Sequence, residues 1–148
     1  MFQKILVCLD GSKLAEQILP YAAEQAMRFG SNLALLQVVS LASIPAPTGI
    51  ESVPVAVPDN LLKDAEDAAK DYLNGLALPL RDKGLNVQCV SLIGHPAESI
   101  VSYAEENRFD LVAIATHGRS GLRRLVFGSV ADYVIRKSGL PILLIKPK

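Results

Sequence analysis

Five short apolar runs punctuate the chain: residues 5–9 (ILVCL), 33–39 (LALLQVV), 87–92 (VQCVSL), 111–115 (LVAIA) and 142–145 (ILLI). Near-continuous apolar runs of this length, bounded by turn residues, suit strands buried on both faces, as in a parallel sheet. Between them the period becomes helical. Over residues 13–29 the apolar positions include Leu14, Ile18, Tyr21, Ala22 and Ala26, with Ser12 as N-cap and Gly30 as the residue that ends the helix. Pro20 lies inside this stretch and is expected to bend or divide it. A second helix is expected over residues 59–82, capped by Asp59, with Leu62, Ala65, Ala69, Tyr72, Leu73 and Leu76 as its stripe. Pro79 should disturb its last turns, and Gly84 should end it. Pro96, in a Gly94-His95-Pro96 turn, is placed for the first position of a third helix over residues 97–107. The fourth helix, residues 129–138, reads as capped by Ser129 with Asp132 in a capping box, and Gly139 stops it.

The order is therefore β-α-β-α-β-α-β-α-β, which predicts an α/β fold: a parallel sheet with helices on both faces. The 148 residues are enough for one domain with a real core, and one domain spanning residues 1–148 is expected. The segment at 40–58 is unusual. It holds Pro45, Pro47, Pro54 and Pro58, and it is too long for an ordinary strand-to-helix connection. It reads as a surface insertion, with a lid or a partner surface as the sharper alternative.

Composition narrows the function. Half of the residues are hydrophobic and 20% are charged, which suits a folded soluble protein. Fifteen basic residues balance fifteen acidic ones, so bulk electrostatics gives no support for nucleic-acid binding. No apolar run approaches the roughly 18 residues of a membrane span, and the N-terminus lacks the features of a signal peptide, so a cytoplasmic location is expected. Cys8 and Cys89 are far apart, with no metal-binding or redox spacing, and both read as core thiols.

In open α/β sheets the ligand crevice lies beyond the carboxyl ends of the strands, where the strand order reverses. Two loops carry the candidate chemistry. One is Asp10-Gly11-Ser12 after the first strand; the other spans residues 116–128 after the fourth. The second suits an anion. Gly118, Gly121 and Gly128 permit close backbone approach, and Arg119, Arg123 and Arg124 offer positive charge. The open N–H groups at the start of the last helix carry partial positive charge, and the Ser129 hydroxyl can donate to a phosphate or touch a metal bound to it. Turn geometry alone could equally explain the glycines, and a solvated face the arginines. Neither GxxxxGK[ST] nor, after the first strand, GxGxxG is present.

These residues resemble the universal stress protein family of the UspA type along essentially the whole chain. The resemblance rests on KILVCLDGS, GHPAESIVSYAEE, THGRSG and GSVADYVIRKSGLPILLIK, together with the proline-bearing insertion. The family's nucleotide signature, G-x2-G-x9-G-[ST], reads here as Ala115-Thr116-His117-Gly118, nine residues, then Gly128-Ser129, with alanine in place of the first glycine. The resemblance implies a Rossmann-like open sheet of five parallel strands in the order 3-2-1-4-5. It implies ATP in the crevice. Asp10 would contact the adenine, and the backbone near Val38 or Val39 would flank the base. Ala115 would sit at the ribose, and Gly118, Gly128 and Ser129 would hold the phosphates, usually with magnesium reached through Ser129. Arg119 and Val130 are counted with this group. In that strand order Cys8 and Cys89 lie two strands apart, about 10 Å, too far for a disulfide. The resemblance also implies a homodimer, for which the apolar edge strand Ile142–Ile145 is the expected seam.

Three functions compete on this reading. The first is a regulatory stress-response module that binds ATP and signals to a protein partner. The second is a dimeric stress scaffold that needs no nucleotide, and Ala115 is the residue that would support it. The third is an enzyme built on Asp10, His117 and Ser129. It is disfavoured because Ser129 reads as a cap and no nucleophile elbow is present.

Overall fold

In a computed structural model describing residues 1–44, 57–116 and 128–148, the five apolar runs become the strands of one parallel sheet. Chain order is β1 (Lys4–Leu9), α1 (Lys13–Glu16), α2 (Leu19–Phe29), β2 (Asn32–Val39), α3 (Asp59–Asp82), β3 (Val87–Ile93), α4 (Pro96–Glu106), β4 (Leu111–Ala115), α5 (Ser129–Lys137) and β5 (Ile142–Ile145). A single 3-10 turn, Leu41–Ser43, follows β2. The strand order is β3-β2-β1-β4-β5, with every pairing parallel.

Strand alternation divides the core into two layers. Ile5, Val7 and Leu9 of β1, with Leu33 and Leu35 of β2, pack against α1, α2 and α3 through Ile18, Ala22, Leu73 and Ala77. Leu6 and Cys8, with Ala34 and Leu36, pack on the other side against α4 and α5 through Ile100, Ala104, Ala131 and Val134. The central strands are thus apolar on both faces, which is why their sequences read as unbroken apolar runs. No helix among the described residues is long and apolar enough to cross a membrane.

Several local readings hold. Ser12 caps α1, its hydroxyl accepting the Ala15 N–H at 3.1 Å. Pro20 divides the 13–29 stretch and sits in the first turn of α2, where its missing N–H is no loss. Gly30, Gly84 and Gly139 all take positive φ where helices or their closing turns end.

Others are corrected. Asp59 does not cap α3. Pro58 holds the cap position in an extended conformation, and Asp59 is the first helical residue, where its charge suits the helix dipole. The far end of α3, by contrast, falls at Asp82 as expected, with Pro79 inside the helix. Ser129 does not cap α5 either: Gly128 is the N-cap, at φ 69° and ψ 154°, and no side chain among the described residues caps the helix. Asp132 pairs with Arg136 at 3.0 Å instead of closing a box. Cys89 is only partly buried because β3 is an edge strand, whereas Cys8 in central β1 is buried as expected. Both thiols are free and lie against opposite layers of the core.

Candidate functional site

β1 and β4 are hydrogen-bonded neighbours, while β1 leads by its crossover to β2 on its other side. The strand order therefore reverses between β1 and β4. The carboxyl ends of these two strands lie side by side, the place where a ligand crevice forms in this type of sheet.

On the β1 side, an Asp10 carboxylate oxygen accepts the Ser12 N–H at 2.9 Å. Gly11, at φ 84°, makes the turn that this bond closes. Ser12 then caps α1, so Asp10 and Ser12 have separate tasks: one shapes the loop and the other starts the helix. On the β4 side, Ala115 and Thr116 are buried, and the Thr116 N–H donates to the Ile145 carbonyl at 2.8 Å. Residues 117–127 lie outside the described residues. Gly118, Arg119, Arg123, Arg124 and His117, which carry much of the phosphate expectation and one member of the imagined triad, fall there.

The chain is described again at Gly128. Its backbone, at φ 69° and ψ 154°, occupies a region that side-chain-bearing residues avoid, so glycine is demanded by conformation alone. Ser129 follows, exposed, as the first helical residue. No side-chain cap is seen for α5 among the described residues, and the first-turn N–H groups of a helix have no partner within it. Val130 and Ala131 turn into the layer shared with Val38, Leu6 and Cys8. Val38 and Val39 thus part company: Val38 belongs to the α4–α5 side, and Val39 lines a cleft on the α3 side. Asp10, Ala115, Gly128, Ser129 and Val130 all sit at the carboxyl end of the two central strands or at the helix start that follows β4.

The α3-side cleft has a volume of about 520 Å³ and includes Gly11, Gln37, Val39, Leu61, Asp64 and Tyr72 in its walls. The Tyr72 hydroxyl donates to the Glu16 carboxylate at 3.1 Å. Burial, and then the neighbouring Glu16 charge, push the Tyr72 hydroxyl well above the usual tyrosine range. The side-chain oxygens of Gln37 and of Ser91, on the adjacent strand, are buried without a hydrogen-bond partner. No site role falls on Gln37 in the sequence reading, although it is the one polar residue inside LALLQVV.

Little here suits covalent chemistry. Burial pushes the Cys8 thiol up to about 12, so it is protonated and inert near neutrality. His95 is exposed at the N-cap of α4. Among the described residues, no group of three or more His, Cys, Asp or Glu is placed to hold a metal ion.

Comparison with known proteins agrees with this architecture. A sequence model described as the universal stress protein family matches residues 1–146. The universal stress protein YxiE of Bacillus subtilis is 28% identical, covering 99% of this chain and 100% of its own. The solved structure of the protein MJ0577, a universal stress protein of Methanocaldococcus jannaschii, superposes with a TM-score of 0.79 at 26% identity, covering 100% of this chain and 98% of its own. A universal stress protein from Archaeoglobus fulgidus, solved in complex with dAMP, shares the fold with a TM-score of 0.66 at 24% identity, over 99% of this chain and 100% of its own.

Proposed function

The chain belongs to the universal stress protein family, and from that footing we propose that it is a cytoplasmic regulatory protein that binds ATP between the loops after β1 and β4. The observation that carries this reading is the signature Ala115…Gly118…Gly128-Ser129, whose last two members stand at the open N-terminus of α5. An uncapped helix start presents N–H donors and positive dipole to an anion. Gly128 fixes the approach of the chain, and Ser129 sets an exposed hydroxyl beside those donors. In this reading Gly118 and Arg119 complete the phosphate cradle, Asp10 and the Val38–Val39 backbone face the base, and Ala115 and Val130 flank the sugar and phosphates. The dAMP complex of the Archaeoglobus relative is a nucleotide held by a protein of this fold.

Magnesium would be held chiefly by the phosphates, with Ser129 its nearest protein oxygen. The described residues fit that arrangement in one respect: Ser129 is free of a capping role. The ion would supply charge neutralisation. The chain's own part is to bind and orient: backbone donors at the α5 start, one serine hydroxyl, and the Asp10 loop.

The protein acts by binding and not by catalysis. It is a homodimer joined through β5, and it reports its nucleotide state to a protein partner, with the 40–58 insertion as the surface for that contact. Residues 45–56 of that insertion lie outside the described residues. A second reading, a dimeric scaffold that needs no nucleotide, is favoured by a single feature, the alanine at position 115.

Calorimetric titration with ATP and magnesium tests the proposal. Saturable micromolar binding is expected. Ser129→Ala should weaken it about tenfold, the loss of one hydrogen bond to a charged group. Absence of binding up to millimolar ATP would leave the scaffold reading in its place.

A further inference from the structure

Lys146, Pro147 and Lys148, the residues after β5, are tied down on both sides. Just before them, the Ile145 carbonyl accepts the N–H of Thr116, the first residue after β4, at 2.8 Å. Lys148 then meets Gln17 at the end of α1. Its N–H donates to Gln17 Oε1 at 2.9 Å, and its carbonyl accepts from Gln17 Nε2 at 3.1 Å. One amide side chain thus pairs with both backbone groups of a single residue, as a neighbouring strand would. Pro147 is half-buried, and its ring fixes φ, so the segment has little freedom once both ties are made. It runs from the exit of β4 to the helix that follows β1, the two strands between which the sheet order reverses.

What is tied matters because α1 is a single turn of four residues. Helices this short do not hold themselves in water and depend on tertiary contacts. Ala15 and Ile18 are buried in the layer below. Glu16 accepts from the Tyr72 hydroxyl of α3 at 3.1 Å, and Gln17 is held by Lys148. The Asp10-Gly11-Ser12 loop leads directly into this turn. Two bonds close that loop onto it: the Ser12 N–H to the Asp10 carboxylate, and the Ala15 N–H to Ser12 Oγ. Whatever fixes α1 therefore fixes the loop.

We propose that residues 146–148 form a strap across the exits of β4 and β1, and that Gln17 is its clasp and thereby a positioning residue for the nucleotide. The closed clasp holds α1, and with it the Asp10 loop, in the geometry that receives the ligand. Both clasp bonds face solvent, so the clasp opens locally while the fold stays intact. Coupling is reciprocal: if the clasp favours the bound state, a bound nucleotide favours the closed clasp. The affinity half of the proposal rests on the nucleotide reading of the crevice; the strap itself does not.

Amide hydrogen exchange by NMR on the labelled full chain, with calorimetry of ATP and magnesium, tests both halves. Gln17→Ala should speed exchange at Lys148, and also at Ser12 and Ala15, by at least about threefold. Amides of β1 and β2 should keep their rates, which distinguishes an open clasp from a loosened fold. The same variant should weaken ATP binding by about threefold to tenfold, the worth of one or two exposed hydrogen bonds. Lys148→Pro, which removes the donated N–H from the other partner, should act alike, and the double variant should fall short of the product of the two single effects. In the wild-type chain, saturating ATP should slow exchange at Lys148. The strap falls if Gln17→Ala leaves Ser12 and Ala15 exchange unchanged, or if the two variants act independently. The positioning role falls if exchange at the loop rises while ATP affinity stays the same. A wild-type chain that binds no ATP strikes the nucleotide reading and the positioning role with it, while the exchange rates at Ser12 and Ala15 still decide the strap.

Discussion

At Ala115 one methyl group stands where the family signature has hydrogen, and its direction decides what that substitution does. Ala115 is the last residue of β4, extended and paired with Ile145. Ile145 packs in the layer of α1–α3, and register places the Ala115 side chain on that same face. The start of α5 lies in the other layer. A methyl thrust into the sugar would cost about 1–3 kcal/mol by overpacking, a tenfold to hundredfold loss of affinity. This methyl points the other way. Ala115→Gly should therefore change ATP affinity by less than about threefold while lowering stability by roughly 0.5–1 kcal/mol through added chain entropy. Paired calorimetry and urea unfolding measure both quantities. A variant that gained ten-fold or more in affinity would show that the alanine obstructs the site after all. Gly128 contrasts with this position, because its own φ of 69° with ψ of 154° excludes a side chain whatever lies nearby.

At the scale of elements, two serines that read alike in sequence part in structure. Each precedes an expected helix, and each was a reasonable N-cap. Ser12 caps α1 through the Ala15 N–H, whereas Ser129 has been drawn inside α5 by the glycine before it. Ser12→Ala should then cost about 1 kcal/mol of stability. Ser129→Ala should stay within about 0.5 kcal/mol, as surface changes away from such features do, with its effect confined to ligand affinity. Urea denaturation of the two variants side by side is the check, and equal losses would return a capping role to Ser129. The five strands were legible because their burial on both faces writes itself as unbroken apolar runs, and Pro20 marked the division between α1 and α2 because its ring forbids an interior position. The capping of α5 was not legible. S-x-x-D is a genuine capping pattern, and nothing in the letters says that Gly128 adopts a backbone that takes the cap position first. The Gln17 clasp was hidden for a different reason: residues 17 and 148 meet only once β5 has taken its place beside β4. The nucleotide signature was legible by spacing, but Gly118 and Arg119 fall outside the described residues.

At the scale of the whole molecule, the sheet has two edges, and they are not equivalent. β3 is blunted: the Arg81 guanidinium reaches from α3 to the Val87 carbonyl at 2.7 Å, and Gln88 and Ser91 interrupt its apolar sequence. β5 has no such device among its four residues, Ile142, Leu143, Leu144 and Ile145, all only partly buried in the single chain. Its carbonyls at Pro141 and Ile145 accept from Val112 and Thr116. By alternation the N–H and C=O groups of Ile142 and Leu144 face outward, and these are the groups a second β5 would pair with. Leu144→Pro removes an outward N–H without touching the ladder to β4, and edge strands tolerate proline. It should turn the dimer we propose into a monomer of unchanged circular dichroism. Gln88→Lys on the opposite edge should leave association as it was. Sedimentation equilibrium at micromolar concentration reads both. A wild-type chain that sediments as a monomer throughout that range, or a Leu144→Pro variant still fully dimeric, would move the seam away from β5. The same experiment bears on how a nucleotide state could be shared between subunits, because β5 is hydrogen-bonded to β4, and β4 ends at Ala115 beside the crevice.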